Sequence, residues 1–320
     1  MSAPGPGTVL VALWRMSRPA QLALIALVYA LGVAMAVGRG AAFDPARVGV
    51  GLAALLPVAA SVHYANEYAD VETDALTDRT PFSGGSGALG ETDIDPRLAL
   101  RAAVATGVIG LAVLAFAVLS TGAPGASALP ALPAPSTLPA TAAALLVGIL
   151  AVGWQYSVGP LRLAWRGLGE ATNAALGGTA LPLYGFAVVT GRVTTAAALA
   201  TVPFALVVFV NLLETQWPDR RADAAVGKRT LATRWSAGRL RWAYVAGLLA
   251  AVGTGVTLAG RVFPLPVAVG TLAPMVGLLP GAARFTDREE PLFAVVTMVG
   301  VAVASTAGWA VVAGVPGGLA

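Results

Sequence analysis

The sequence predicts an all-α polytopic membrane protein, a bundle of about nine transmembrane helices with cytoplasmic cap loops, forming one domain over residues 1–320. Three observations carry the prediction. Hydrophobic residues make up 57% of the 320 positions and charged residues only 11%, against about 25% charged in an ordinary soluble domain, and mean hydropathy is +0.77. So few charges cannot cover a soluble globule, which makes lipid the solvent for most of the chain. Apolar stretches long enough to cross about 30 Å of hydrocarbon recur along the whole length. Finally, the basic residues fall in the short loops between those stretches and divide unevenly between the two faces.

The first stretch, 19–38, follows Arg15 and Arg18 and ends in Ala34-Met35-Ala36, a pattern shared with cleavable signal peptides. Its length, and eight hydrophobic segments after it, make it a first crossing instead. The second, 47–69, runs directly into a polar, acidic segment. The third, 98–120, and the fourth, 138–157, flank the region from Thr121 to Pro139, which holds five prolines and no charge and reads as an irregular spacer. A very short turn, Thr190 to Thr194, separates the fifth (168–189) from the sixth (194–215). The seventh, 239–260, is uninterrupted, whereas the eighth, 264–283, is broken by Pro264, Pro266, Pro274 and Pro280 because proline removes a helix hydrogen bond. The ninth is 291–313. Ala and Gly recur throughout and let helices approach closely in lipid. Seven tryptophans lie near span ends, where interfacial anchoring is their ordinary role.

Nine crossings put the N-terminus and every second loop on one face. That face holds all of the 20 Lys and Arg residues except Arg39, Arg47, Arg192 and Arg261, so it is cytoplasmic by the positive-inside rule. All of the 16 acids except Asp44 lie there too. The chemistry therefore belongs at the cytoplasmic mouth of the bundle. With 0 Cys and 1 His, disulfide, thiolate and multi-histidine metal chemistry are excluded. The net charge of +4 sits in loops beside apolar runs, which favours membrane lipid and an anionic substrate as partners over nucleic acid.

Two acidic clusters stand out. The second span leads into NEYADVETD, with Asn66, Asp70 and Asp74 four residues apart. On a helix these three side chains form one oxygen-rich stripe. The sixth span ends in ETQWPDRRAD, with Asp219 and Asp223 again four apart and Thr215 in register before them. Parallel carboxylates repel and are costly near lipid, so a cation must offset them. Oxygen ligands without Cys or a His cluster select a hard ion, and Mg²⁺ commonly bridges a few carboxylates to substrate phosphates. Four aspartates and two Mg²⁺ leave an entering diphosphate unbalanced, so basic side chains must complete the site. Arg18, Arg79, Arg162 and Lys228 are the candidates, and the glycine-rich PFSGGSG from Pro81 to Gly87 can wrap an anion with backbone N–H groups. Tyr156 offers an aromatic face beside the acids. Glu214 points about 140° away from the Asp219 stripe at 100° per residue, and His63 reads as a packing residue.

These motifs resemble those of the UbiA superfamily of intramembrane prenyltransferases. NEYADVETD fits the family's NxxxDxxxD motif and DRRAD its second DxxxD motif; Arg18-Pro19, GKRTLATR (Gly227 to Arg234) and YSVGPLRLAWRGLGE (Tyr156 to Glu170) resemble further family segments. The resemblance implies Mg²⁺-dependent transfer of a prenyl chain from prenyl diphosphate to an aromatic acceptor. Asn66, Asp70, Asp74, Asp219 and Asp223 become metal ligands, the four aspartates being catalytic. Arg18, Asn66, Arg79, Tyr156, Arg162 and Lys228 become substrate-binding residues, with Arg162 and Tyr156 on the acceptor. PLRL, RGLGE and FSGGSG look most like the menaquinone branch, whose acceptor is 1,4-dihydroxy-2-naphthoate; 4-hydroxybenzoate or another lipid or aromatic acceptor is the alternative. A membrane transporter is the competing class. It would place ionisable groups near the bilayer midplane rather than at one edge.

Overall fold

A computed structural model of the chain describes residues 5–77, 79, 84–120 and 137–314. The described residues are helical almost throughout, with one isolated bridge between Ala259 and Phe263. A short helix, α1 (Pro6–Met16), precedes the first crossing, α2 (Pro19–Gly38). Helix α1 buries Ala12 and Met16 and exposes Leu10, Val11 and Trp14, the pattern of a helix lying in the membrane interface. It is too short to register as a span, and its separation from α2 rests on Arg18, a non-glycine residue held at φ 53°.

The crossings that follow are α3 (Pro45–Ala69), α5 (Arg97–Leu119) and α6 (Ala140–Ser157), with the single turn α4 (Val71–Asp74) after α3. Helix α3 starts where Asp44 accepts the N–H groups of Ala46 and Arg47 at 3.0 Å, an N-cap reinforced by Pro45 at the first helical position. The fifth crossing is composite: α7 (Gly169–Ala175), a π-turn over Leu176–Ala180, and α8 (Leu181–Thr190). Gly191, at φ 73°, ends it. Thr194 then caps α9 (Thr195–Thr215), so the two spans are joined by the tight turn that the sequence predicts. Two short helices, α10 (Arg220–Ala225) and α11 (Leu231–Arg234), lead to α12 (Ala237–Leu258). The eighth crossing is broken as its prolines require, into α13 (Leu265–Leu272), a 3₁₀ turn over Ala273–Leu278, and α14 (Leu279–Arg284). Helix α15 (Leu292–Gly314) is the ninth.

Among the described residues eight helical stretches are long and apolar enough to span a membrane. The ninth expected crossing, the composite one interrupted by its π-turn, is not among them. Of the expected spacer from Thr121 to Pro139, residues 121–136 lie outside the described ones.

The core is built from close helix pairs. A Cβ on Gly32 of α2 would stand 1.8 Å from the Pro182 carbonyl oxygen of α8, and one on Gly185 2.2 Å from the Tyr29 carbonyl oxygen, so only glycine permits this approach. Tyr29 and Tyr184 pack at 5.6 Å between ring centroids. Their hydroxyls donate to the Val48 and Gly51 carbonyls of α3, each at 2.8 Å, which satisfies their buried polar ends. Tryptophans serve more than one purpose. Trp14 and Trp242 are exposed, but Trp217 and Trp309 are buried, so the anchoring role expected for all seven does not extend to these two.

Candidate active site

The two acidic motifs meet at one end of the bundle. Helix α3 stops at Ala69, and Asp70 caps it at φ −99°, ψ 10° before α4 begins. The continuous stripe expected from sequence therefore bends at Asp70, although the Asp74 N–H still bonds the Asp70 carbonyl at 2.8 Å. The second motif is interrupted in the same way. Helix α9 ends at Thr215, and Asp219 precedes α10, with the Asp223 N–H on the Asp219 carbonyl at 2.9 Å. Pro218 lies in the break, so Thr215 is out of register with the two aspartates. Helices α4 and α10 pack against each other.

Lys228 joins the motifs. Its ammonium lies 3.0 Å from Asp70 Oδ1 and 3.4 Å from Asp223 Oδ1. Burial alone would lower its pKa, but Asp70 and Asp223 hold it above the ordinary lysine value. The carboxylates show the opposite strain. Burial and then Asp70 push Asp74 up to about 7; burial and then Asp223 push Asp219 up to about 7. Burial raises Asp223 to about 6 while Lys228 pulls it down. Asp219 Oδ1 is buried without a hydrogen-bond partner, and Asp223 Oδ1 has only the ion pair to Lys228. This set of oxygens is short of positive charge. Among the described residues no three His, Asp or Glu side chains close around a point, so an ion held here would take further ligands from water or a bound anion.

A second network, unexpected from sequence, holds Arg18. Glu67, 2% exposed, accepts Arg18 Nη2 at 2.6 Å and Nε at 2.8 Å on Oε1. The same oxygen accepts the Ser86 N–H at 3.0 Å, and Oε2 accepts the Ser86 hydroxyl at 2.6 Å. One buried carboxylate thus ties the first crossing, the first motif and the glycine-rich loop together. The signal was present: an acid inside the motif but off its stripe, and an arginine at the mouth of the first span with no assigned partner. Arg15 adds a bond to the Ser86 carbonyl at 2.9 Å, and Arg15 and Arg79 both pair with Glu91. Gly85, at φ 63°, lies directly over Asp74, where a Cβ would stand 1.9 Å from Oδ2. Pro81 to Ser83 are outside the described residues. Because it leaves an arginine and two serine donors without an acceptor, Glu67→Ala is expected to lower the unfolding free energy by about 3 kcal/mol. Ser86→Ala, losing one hydroxyl bond, is expected to cost about 1 kcal/mol. Thermal unfolding in detergent measures both, and equal small shifts would reject the network.

The remaining expected residues lie around this centre. Asn66 Oδ1 accepts the Ser157 hydroxyl at 2.7 Å. Asn66, Tyr156 and Asn173 line a cavity of about 180 Å³ that descends between α3, α6 and the fifth crossing. Arg79 is turned to Glu91 on the loop. The Arg162 guanidinium, at the surface, lies 4.0 Å from the centroid of the Trp165 ring, and Lys228 Nζ lies 5.9 Å from the same ring. Trp165 therefore links Arg162 to the centre, although no hydrogen bond or ion pair joins Arg162 to the aspartates among the described residues. Glu170, 1% exposed, accepts the Leu231 N–H at 2.7 Å and braces the loop that carries Lys228. Glu214 turns away from the motif toward Gly281 and Tyr244, and His63 Nδ1 is bonded to the Ser17 carbonyl at 2.8 Å, as the sequence leads one to expect of both.

Carboxylates gathered at one end of an apolar bundle mark a membrane-embedded enzyme site, since a transport path would carry its ionisable groups across the bilayer. The chain matches the UbiA prenyltransferase family over residues 25–292 and belongs to it. Solved structures with the same fold include a UbiA homolog from Archaeoglobus fulgidus bound to DMAPP and Mg²⁺, at 17% identity and TM-score 0.62, covering 95% of this chain and 99% of that one. A UbiA homolog from Aeropyrum pernix K1, in its apo form, aligns at 17% identity and TM-score 0.64 over 89% and 95% of the two chains. A digeranylgeranylglyceryl phosphate synthase structure aligns at 12% identity and TM-score 0.63 over 95% and 98%. No curated protein sequence matches the chain. It is an integral-membrane enzyme of the prenyltransferase class.

Proposed function

We propose that this enzyme transfers a prenyl chain from its diphosphate to an aromatic acceptor, 1,4-dihydroxy-2-naphthoate, with Mg²⁺ as cofactor. One observation carries the reading: two aspartate pairs joined by Lys228, with a buried unpartnered oxygen on Asp219, meet at the end of the bundle where Asn66 lines an apolar cavity. The oxygen-only donor set fits a hard divalent ion, and the Archaeoglobus fulgidus homologs bound to prenyl diphosphates with Mg²⁺ support that choice. Asp70, Asp74, Asp219 and Asp223, with Asn66, hold the ions; Arg18 and Lys228 receive the diphosphate, with Arg79 at its outer edge. Bound Mg²⁺ supplies positive charge to diphosphate oxygens as the allylic C–O bond breaks.

The protein's own groups do the rest. Arg18, fixed by Glu67, is held in place before substrate arrives, so little reorganisation accompanies charge development there, while Lys228 exchanges Asp70 and Asp223 for the diphosphate as the ions take those oxygens. The apolar walls keep water from the allylic cation until the acceptor ring attacks it and restores its aromaticity by losing the group on the attacked carbon, as a proton or as CO₂. Tyr156 forms one wall for that ring, and Arg162, stacked on Trp165, is the partner for the acceptor carboxylate. Likeness of PLRL, RGLGE and FSGGSG to the menaquinone branch supports the choice of acceptor. The test is purified enzyme with Mg²⁺, geranyl diphosphate and a panel of acceptors. Transfer to 1,4-dihydroxy-2-naphthoate is expected; transfer only to 4-hydroxybenzoate or to a lipid alcohol would overturn the acceptor and keep the reaction.

The active site faces the cytoplasm in this reading, because the loops on its side carry most of the basic residues. Glu290 is exposed on that side and Ala42 on the other, and the chain has 0 Cys. An impermeant thiol reagent applied outside intact cells is expected to label Ala42→Cys and spare Glu290→Cys. The reverse pattern would invert the orientation.

A further inference from the structure

Crossing five has two neighbouring glycines in its π-turn with opposite surroundings. At Gly178 a Cβ would stand 2.4 Å from the Ala205 Cα of α9 and 2.8 Å from its Cβ, so this glycine is a packing contact between two backbones. At Gly177 a Cβ would meet only Asn173 Oδ1, at 3.3 Å, and otherwise open space. That space is the 180 Å³ cavity beneath the aspartates, which Gly177 lines together with Asn66 and Tyr156 at its mouth and Leu55 and Leu181 deeper in. Leu55 is eleven residues before Asn66 in α3, about 16 Å further into the bundle at 1.5 Å per residue. Gly177 is eight residues beyond Gly169 at the start of the crossing, about 12 Å in on the same scale. It thus sits in the wall between mouth and floor. It belongs to the π-turn itself, and such insertions recur at functional sites. No positive φ restricts Gly177, so a side chain fits its backbone and projects into the cavity.

We propose that Gly177 sets the length of prenyl chain that the cavity accepts: its missing side chain is the passage by which a long tail reaches the floor. The inference rests on the prenyl-transfer reading above, and it assigns the part of this cavity below Tyr156 to the donor's tail, leaving the acceptor ring at the mouth beside Tyr156.

The experiment compares wild type with Gly177→Ala, Gly177→Leu and Gly178→Ala, using dimethylallyl, geranyl and geranylgeranyl diphosphates with one acceptor. For Gly177→Leu, kcat/KM with geranylgeranyl diphosphate is expected to fall on the order of 10- to 100-fold relative to dimethylallyl diphosphate, and Gly177→Ala to shift the same ratio less. Gly178→Ala is expected to lower the unfolding temperature and leave the donor profile as in wild type. If Gly177→Leu does not fold, Gly177→Ala still decides the ordering. A second measurement needs no turnover: the thermal stabilisation by geranylgeranyl diphosphate should shrink in the Gly177 variants while that by dimethylallyl diphosphate persists. Active variants with an unchanged donor profile overturn the assignment of Gly177 alone. A raised acceptor KM that is equal for every donor overturns it too, by giving the cavity to the acceptor. Wild-type enzyme inactive with all donors and acceptors removes the reading on which the inference stands.

Discussion

Alanine at Asp70 or at Asp219 is expected to leave a folded, membrane-inserted protein whose prenyl transfer is lower by on the order of 10³-fold or more. Each aspartate belongs to a different motif, so losing either one removes charge from one half of the site that must balance a leaving diphosphate. The stability effects should differ in sign. Asp219 is half-buried, has a buried oxygen without a partner, and is pushed up to about 7 by burial and then by Asp223; its removal relieves a cost and should keep or raise the unfolding temperature. Asp70 is one of two acceptors for Lys228, and its removal should lower that temperature. Turnover at saturating geranyl diphosphate and Mg²⁺, together with thermal unfolding, separates the two effects. Near wild-type turnover in either variant would reject a site built from both motifs.

The membrane-spanning elements were legible because lipid imposes a simple rule, a long apolar run bounded by polar loops, and the runs carry it plainly. What escaped is what that rule does not see. Helix α1 is too short to span, and the fifth crossing conceals a π-turn that no apolar count detects. The candidate site was legible for a similar reason: carboxylates four residues apart, repeated in two places, are costly at the edge of an apolar bundle unless a cation offsets them. Its fine geometry was not. A period of 100° per residue assumes one unbroken helix, yet the chain leaves helical geometry at Asp70 and again between Thr215 and Asp219. Glu67 was missed for a different reason. Its worth comes from Arg18, 49 residues earlier, and Ser86, 19 residues later, and pairing across such distances is decided by tertiary packing.

The same packing makes Lys228 the residue with the second-largest expected effect. In the absence of other ligands its ammonium is the cation nearest Asp70 and Asp223, bridging motif one to motif two at 3.0 and 3.4 Å. Lys228→Met keeps the length and the apolar stem but removes the charge, leaving the buried Asp223 and the half-buried Asp70 unpaired. Loss of one member of such a buried set costs about 3–5 kcal/mol, so the metal-free variant should unfold at a markedly lower temperature. Mg²⁺ should restore more stability to the variant than to wild type, because the ions no longer compete with an ammonium for the same oxygens. Catalysis should not recover with it: a positive contact to the diphosphate is gone, and a loss of about 10²–10³-fold in kcat/KM is expected, with the donor's KM raised and the acceptor's little changed. Lys228→Arg should regain part of both. If Mg²⁺ stabilises Lys228→Met no more than wild type, the lysine and the ions do not share ligands, and the aspartates that hold Lys228 are not those that hold the metal.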